Sequence, residues 1–244
     1  MASQHIVSSF DHDLESIQAQ VMKMGGLVEV ASQDALKALE TRDLELSRKV
    51  REGDKVIDRM DEEIKSEAAL VLVRRAPAAG DLRTVLSVMA IGTHLERCGD
   101  YAKNIAKRTT VLAETAPTGD TVMTLRRMAR MVESMMSDAL DAYIQRDADK
   151  ADDVRMRDLE VDEMYNTLFR ALLTHMMEDP RSITPCMHLH FIAKNLERMG
   201  DHATSIAEQT IYLVTGELPE DDRPKGDRTA FDAAGDDTAN SDAG

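Results

Sequence analysis

The stretches LERCGDYAKNIA (residues 95–106) and LERMGDHATSIA (196–207) repeat one another at an offset of 101. Widened to 91–109 and 192–210, the match holds at ten of nineteen positions. A second match, at an offset of 104, pairs residues 35–60 with 139–164 at ten positions. Its pairs include Ala35/Ala139, Arg42/Arg146, Asp43/Asp147, Val50/Val154, Asp54/Asp158, Asp58/Asp162 and Met60/Met164. The chain is therefore duplicated, with the same elements in the same order in each half. The offset falls by three between the two matches, which predicts one shorter inter-helix turn in the second half. Repeats this short share a face with their neighbours, so the two halves are expected to form one body.

Apolar residues between the breaks recur at spacings of three and four, as in Val85, Val88, Met89, Ile91 and Leu95. That spacing is the signature of amphipathic helices. Prolines 77, 117, 180, 185, 219 and 224 fall at breaks, as expected of residues that cannot continue a helix. Six stretches result: 8–42, 44–75, 80–114, 120–146, 148–178 and 184–215. Their short connections make neighbouring rods antiparallel. The predicted fold is all-α, two tandem three-helix bundles of six long antiparallel helices. The first bundle spans 1–115 and the second 118–216. Residues 217–244 carry nine acids and three bases and are predicted to be a disordered acidic tail. Met128, Met131, Met135 and Met136 form a stripe on the fourth helix, read as core filling.

Composition narrows the function. Aromatics make up 3% and Trp is absent, which disfavours an all-β fold. With 30 basic and 45 acidic residues the net charge is −15. That balance argues against a nucleic-acid binder, which needs a basic face, and against direct binding to anionic lipid. The two cysteines, Cys98 and Cys186, lack metal-binding or disulfide-framework spacing. The longest apolar run, Ala68–Val73, has six residues, whereas a membrane span needs about 20. The N-terminus lacks a signal-peptide pattern. A soluble, cytoplasmic protein is expected.

Four acidic pairs at i, i+4 occupy equivalent slots: Asp54/Asp58 and Glu96/Asp100 in the first half, Asp158/Asp162 and Glu197/Asp201 in the second. The spacing puts both carboxylates of a pair on one helix face. Asp11/Glu15, Glu63/Glu67 and Asp149/Asp153 share it, so spacing alone also describes a solvated surface. Repetition of the same four slots points instead to four carboxylates per half. All-oxygen donors suit hard cations such as Mg²⁺, Mn²⁺, Ca²⁺ or iron. Gly99 and Gly200 directly precede Asp100 and Asp201 and imply either close helix packing or room for a ligand. His202, next to Asp201, is a further candidate ligand. Arg97 and Arg198 are candidates to pair with the acids or to hold a partner. No Walker A or GxGxxG motif is present, no Glu is followed by a His three residues on, and no His or Lys is evident as a general base beside the acids.

With the doubled LERxGD, the segment RRAPAAGDLR (74–83) and the ending YLVTGE (212–217), the sequence resembles the PhoU family of phosphate-signalling accessory proteins. The resemblance covers residues 5–217. It implies a tandem three-helix-bundle fold, a homodimer, and iron or zinc on E(D)xxxD motifs, with Mg or Mn not excluded. Those motifs map onto Asp54, Asp58, Glu96, Asp100, Asp158, Asp162, Glu197 and Asp201. It also implies a non-catalytic adaptor in the cytoplasm, peripheral to the inner membrane through its partners. Those partners are a PstB-like ABC transporter ATPase subunit and a PhoR-type sensor histidine kinase, and the effect is to keep the phosphate-starvation response off when phosphate is plentiful. The alternative reading is a metal-dependent enzyme acting on phosphate esters. A third is a bundle whose acids bind metal only for stability.

Overall fold

Six helices follow one another in a computed structural model that describes residues 2–75, 77, 79–114 and 119–219. They are α1 (Ala2–Thr41), α2 (Leu44–Arg75), α3 (Ala79–Leu112), α4 (Gly119–Gln145), α5 (Ala148–Glu178) and α6 (Ile183–Thr215). A 3₁₀ turn, Pro180–Ser182, precedes α6, and the described residues contain no strand. From residue 220 on, the expected tail lies outside the described residues.

The repeated Arg-Asp dipeptides build the same corner twice. Arg42 turns the chain into the left-handed region at φ 56°, and Arg146 does so at φ 53°. The following aspartate then caps the next helix. Asp43 Oδ1 accepts from the backbone N–H groups of Glu45 and Leu46 at 3.0 and 2.9 Å. Asp147 Oδ1 accepts from that of Lys150 at 3.0 Å. Each cap satisfies N–H groups that a helix start otherwise leaves unpaired. The two-residue links fold α1 back on α2 and α4 back on α5.

Helices α1, α2 and α3 pack as one triangle and α4, α5 and α6 as another. The triangles join through α3 against α6 and α1 against α4, while α2 and α5 flank the outside. One apolar core runs through both. The methionine stripe belongs to it: Met128, Met135 and Met136 are buried. Cys98 and Cys186 are free and buried.

The expected shorter turn is corrected. The second connection (179–182) is no shorter than the first (76–78). The missing three residues come out of the helix instead: Asp100 lies 21 residues into α3, but Asp201 only 18 into α6. At 1.5 Å per residue, the second motif sits about 4.5 Å nearer its helix start.

Aromatic and basic side chains mark the join. His94 Nδ1 lies 2.9 Å from His202 Nδ1, and Tyr101 OH 3.4 Å from His202 Nε2. Further along, the Arg108 guanidinium stacks 4.2 Å over Phe191 and reaches His188 Nδ1 at 3.4 Å. The repeat sets Asn195 opposite His94 in the alignment and Gln209 opposite Arg108, so the two sides of this join have diverged.

Candidate functional site

Burial separates the eight predicted carboxylates from ordinary acidic decoration. Asp54, Asp158, Asp162 and Glu197 are buried, and Asp58, Glu96, Asp100 and Asp201 half-buried. Of the residues that share the i, i+4 spacing, Glu15, Glu63, Asp149 and Asp153 are exposed, and Glu67 is half-buried and accepts from Gln20 at 2.7 Å. Each half brings a pair on its second helix against a pair on its third, because the apolar residues beside the acids (Ile57 on α2, Leu95 and Cys98 on α3; Val161 on α5, Leu196 and Met199 on α6) are buried where these helices pack.

The glycines permit that approach. A Cβ on Gly99 would stand 3.0 Å from Ile57 Cδ1 and 3.5 Å from Asp54 Oδ1. One on Gly200 would meet Asp158 Oδ1 at 3.4 Å and Val161 Cγ1 at 3.5 Å. Close packing beside a buried aspartate therefore explains both residues.

Two lysines that the sequence comparison did not single out stand in the clusters as cations. Lys103 Nζ bridges Asp54 Oδ2 at 2.5 Å and Asp100 Oδ1 at 3.1 Å. Lys194 Nζ donates to Glu197 Oε1 at 2.8 Å and lies 4.9 Å over the Tyr165 ring. Lys103 is not poised as a base: the hydrogen bonds it donates to Asp54 and Asp100 push it above the usual lysine range, so it stays charged. The sequence signal was spacing, since Lys103 follows Asp100 by three and Lys194 precedes Glu197 by three. The repeat hid it, because the equivalent positions are Thr204 and Thr93. The first cluster also includes Asp61, buried and bound by Lys65 at 2.6 Å. Asp54, Asp58 and Asp61 form an i, i+4, i+7 stripe; Tyr165 replaces Asp61 in the second half.

Burial dominates the electrostatics. It pushes the Asp54 and Glu96 carboxyls up from their ordinary values, against the pull of Lys103 and Arg97 respectively. It pushes Glu197 up to about 7. Arg97 reaches Glu96 and Asp100 only at 3.5 and 3.7 Å from an exposed position. Arg198 crosses to the other half and lies 5.9 Å over Tyr101. His202 turns its ring to His94 and Tyr101.

The donor chemistry fits a hard cation. Asp54 Oδ1 and Glu197 Oε2 are buried without a hydrogen-bond partner, leaving lone pairs for one. Among the described residues, no group of three or more His, Cys, Asp or Glu side chains is gathered tightly enough to hold an ion. In the first half the Lys103 ammonium occupies the place between Asp54 and Asp100. No helix among the described residues is long and apolar enough to cross a membrane.

The chain matches the PhoU domain twice, over residues 21–109 and 125–210. A phosphate-specific transport system accessory protein PhoU homolog of Rhizobium meliloti is 42% identical over 230 residues, covering 94% of this chain and 97% of that protein. Its counterpart from Zymomonas mobilis is 47% identical over 222 residues, covering 91% and 93%. The crystal structure of PhoU from Pseudomonas aeruginosa superimposes with a TM-score of 0.82 at 41% identity, over 85% of this chain and all of that one. The phosphate transport system regulatory protein PhoU from Streptococcus pneumoniae gives 0.80 at 31% identity, over 86% and 99%.

Proposed function

The chain belongs to the PhoU family, and from that premise we propose that it is a non-catalytic regulator of phosphate uptake and of the phosphate-starvation response. It acts as an adaptor between the ATPase subunit of a phosphate ABC transporter and a PhoR-type sensor kinase. It keeps the response off when phosphate is plentiful. The observation that carries the reading is the paired PhoU match across both halves, together with relatives of nearly equal length named as accessory proteins of phosphate-specific transport. An adaptor can act only through different affinity for the kinase's two signalling states, and a long two-sided bundle offers separate faces to two partners.

We also propose that Asp54, Asp58, Glu96 and Asp100, and in the second half Asp158, Asp162, Glu197 and Asp201, are cation ligands. A bound cation supplies charge neutralisation between two helices. For its part, the chain brings the acids together, and Gly99 and Gly200 let the helices approach closely beside Asp54 and Asp158.

The test is alkaline phosphatase expression, as a phosphate-starvation reporter, in phosphate-replete cells with and without the gene. Constitutive expression in the deletion, reversed by the wild-type chain, supports the regulator. Unchanged repression in the deletion overturns it.

A further inference from the structure

Most half-buried cations in this chain are matched with acids. Lys65, Lys103, Lys150, Arg155, Arg157 and Lys194 each hold a carboxylate. Arg108 lies against Phe191 and His188 instead. Arg83 is the remaining half-buried cation among the described residues. It holds no carboxylate, and its Nε is buried without a hydrogen-bond partner. In a chain with a net charge of −15, an uncompensated guanidinium marks a place for an anion.

That place is the corner where α3 begins and α6 ends. Arg83 Nη1 stands where a Cβ on Gly216 would go, and Gly216, at φ 87°, closes α6. Leu82 and Leu86 flank Arg83 one turn apart on α3, and Val214 and Leu218 flank Gly216. All four are between 37% and 54% exposed. The corner thus joins a cation without a partner to four exposed apolar side chains, the composition of a docking surface.

The repeat isolates the cation. At the offset of 101, Leu82 and Leu86 correspond to Ile183 and Met187, which are also exposed, but Arg83 corresponds to Thr184. The apolar pair occurs in both halves; the guanidinium occurs only at the corner through which the chain leaves. What leaves there is acidic. Beyond Pro219 come 25 residues with eight acids, three bases and a single large apolar residue, Phe231. Glu220, Asp221 and Asp222 stand first. Asp222 is six residues past Gly216, at most about 22 Å of chain, and Phe231 fifteen, at most about 54 Å. Both can return to the corner, and the tether makes the encounter intramolecular, at an effective concentration in the millimolar range.

We propose that this corner is the docking site of the chain's own C-terminal segment, residues 220–244, with the carboxylates of Glu220, Asp221 and Asp222 on Arg83 and Phe231 over Leu82 and Leu86. The charges are complementary, the one large apolar residue of the segment meets the apolar face, and the segment starts beside the site. Docking takes Arg83 and the Leu82/Leu86 face out of reach of other proteins, so the segment is a built-in cover for one corner of the body.

The experiment uses the full chain, labelled at leucine methyls for NMR and carrying a nitroxide on Ala233→Cys. Cys98 and Cys186 are buried, so the nitroxide goes to the new cysteine. Leu82→Ile and Leu86→Ile identify the two signals. Leu70, exposed on α2 at the same end of the molecule, is the internal control. At about 50 mM salt, the Leu82 and Leu86 methyls should be broadened several-fold more than Leu70. Arg83→Gln and Phe231→Ala should each remove most of that excess, and so should 1 M salt, where charges act over only about 3 Å. Arg83→Gln breaks no hydrogen bond or ion pair and should fold; Phe231 lies beyond the helices, so Phe231→Ala provides the same readout should it fail. Broadening at Leu82 and Leu86 no greater than at Leu70 overturns the proposal. So does an excess that survives Arg83→Gln or Phe231→Ala. An excess that appears equally when methyl-labelled chains without nitroxide are mixed with nitroxide-bearing chains means that a second copy fills the corner, and also overturns it.

Discussion

Replacing Lys103 by methionine, in metal-free buffer, tests whether its ammonium holds the first cluster together. The substitution keeps most of the side-chain length and removes the charge that sits 2.5 Å from Asp54 and 3.1 Å from Asp100. Two limits bracket the cost. Breaking a fully buried pair costs about 3–5 kcal/mol, and an exposed pair contributes about 0–1 kcal/mol. Asp54 is 3% exposed but the Lys103 side chain 39%, so water screens part of the interaction and about 2 kcal/mol is expected. A ceiling follows from chemistry: an Asp54 that loses its cation can take a proton instead. From the ordinary value of 3.8, protonation at pH 7 costs roughly 4 kcal/mol. For a domain of this size, 2 kcal/mol lowers Tm by about 4–8 °C. The assay is thermal unfolding followed by helix circular dichroism. The deficit should shrink as pH falls towards 5, because protonating Asp54 becomes easier. Added Mn²⁺ should recover more stability in the variant than in the wild type, because the acids remain. An unchanged Tm at pH 7, or a deficit that grows on acidification, would refute the role given to Lys103.

Three further outcomes are expected. Glu197 has its folded value raised to about 7 from 4.5, so the cost of ionising it is absent below pH 4.5, grows between 4.5 and 7, and is complete above 7. Metal-free Glu197→Gln should therefore be more stable than wild type at pH 8 by about 3 kcal/mol and equal to it near pH 4.5; parallel urea-unfolding curves at the two pH values would show that no such penalty exists. Gly200→Ala should gain up to about 1 kcal/mol of helix propensity. Gly99→Ala should lose about 1 kcal/mol, because the new methyl presses on Ile57 at 3.0 and 3.1 Å; a common sign for the two would contradict the packing difference between the halves. Arg42→Gly should stabilise by about 0.5–1 kcal/mol, since glycine enters the left-handed region without the strain of a side chain, and denaturant midpoints measure it.

The fold was legible because duplication writes every element twice. Arg42-Asp43 and Arg146-Asp147 announced the same corner, and the helix ends fell within two residues of their sequence-based limits, except that α1 begins at Ala2, six residues before the expected start. The candidate site was half legible. Matching acids in both halves marked the eight carboxylates, but spacing cannot distinguish Asp54 from Glu63; burial can. Whatever broke the repeat was hidden. Lys103, Lys194 and Asp61 have unlike partners in the other half, so comparing halves discarded them. The three-residue difference in offset was visible, but sequence could not show that a helix, rather than a turn, had absorbed it.

The unequal join between the halves bears on how such a protein could be cut and reassembled. An ancestral single half would have met its own copy, residue for residue, across a two-fold axis. Here His94 faces His202, and Arg108 stacks on Phe191; neither pairing can be made by two identical halves. Separately expressed fragments should therefore ignore their own kind and recombine with each other. That would make the α3–α6 seam a ready-made lock and key for a split reporter.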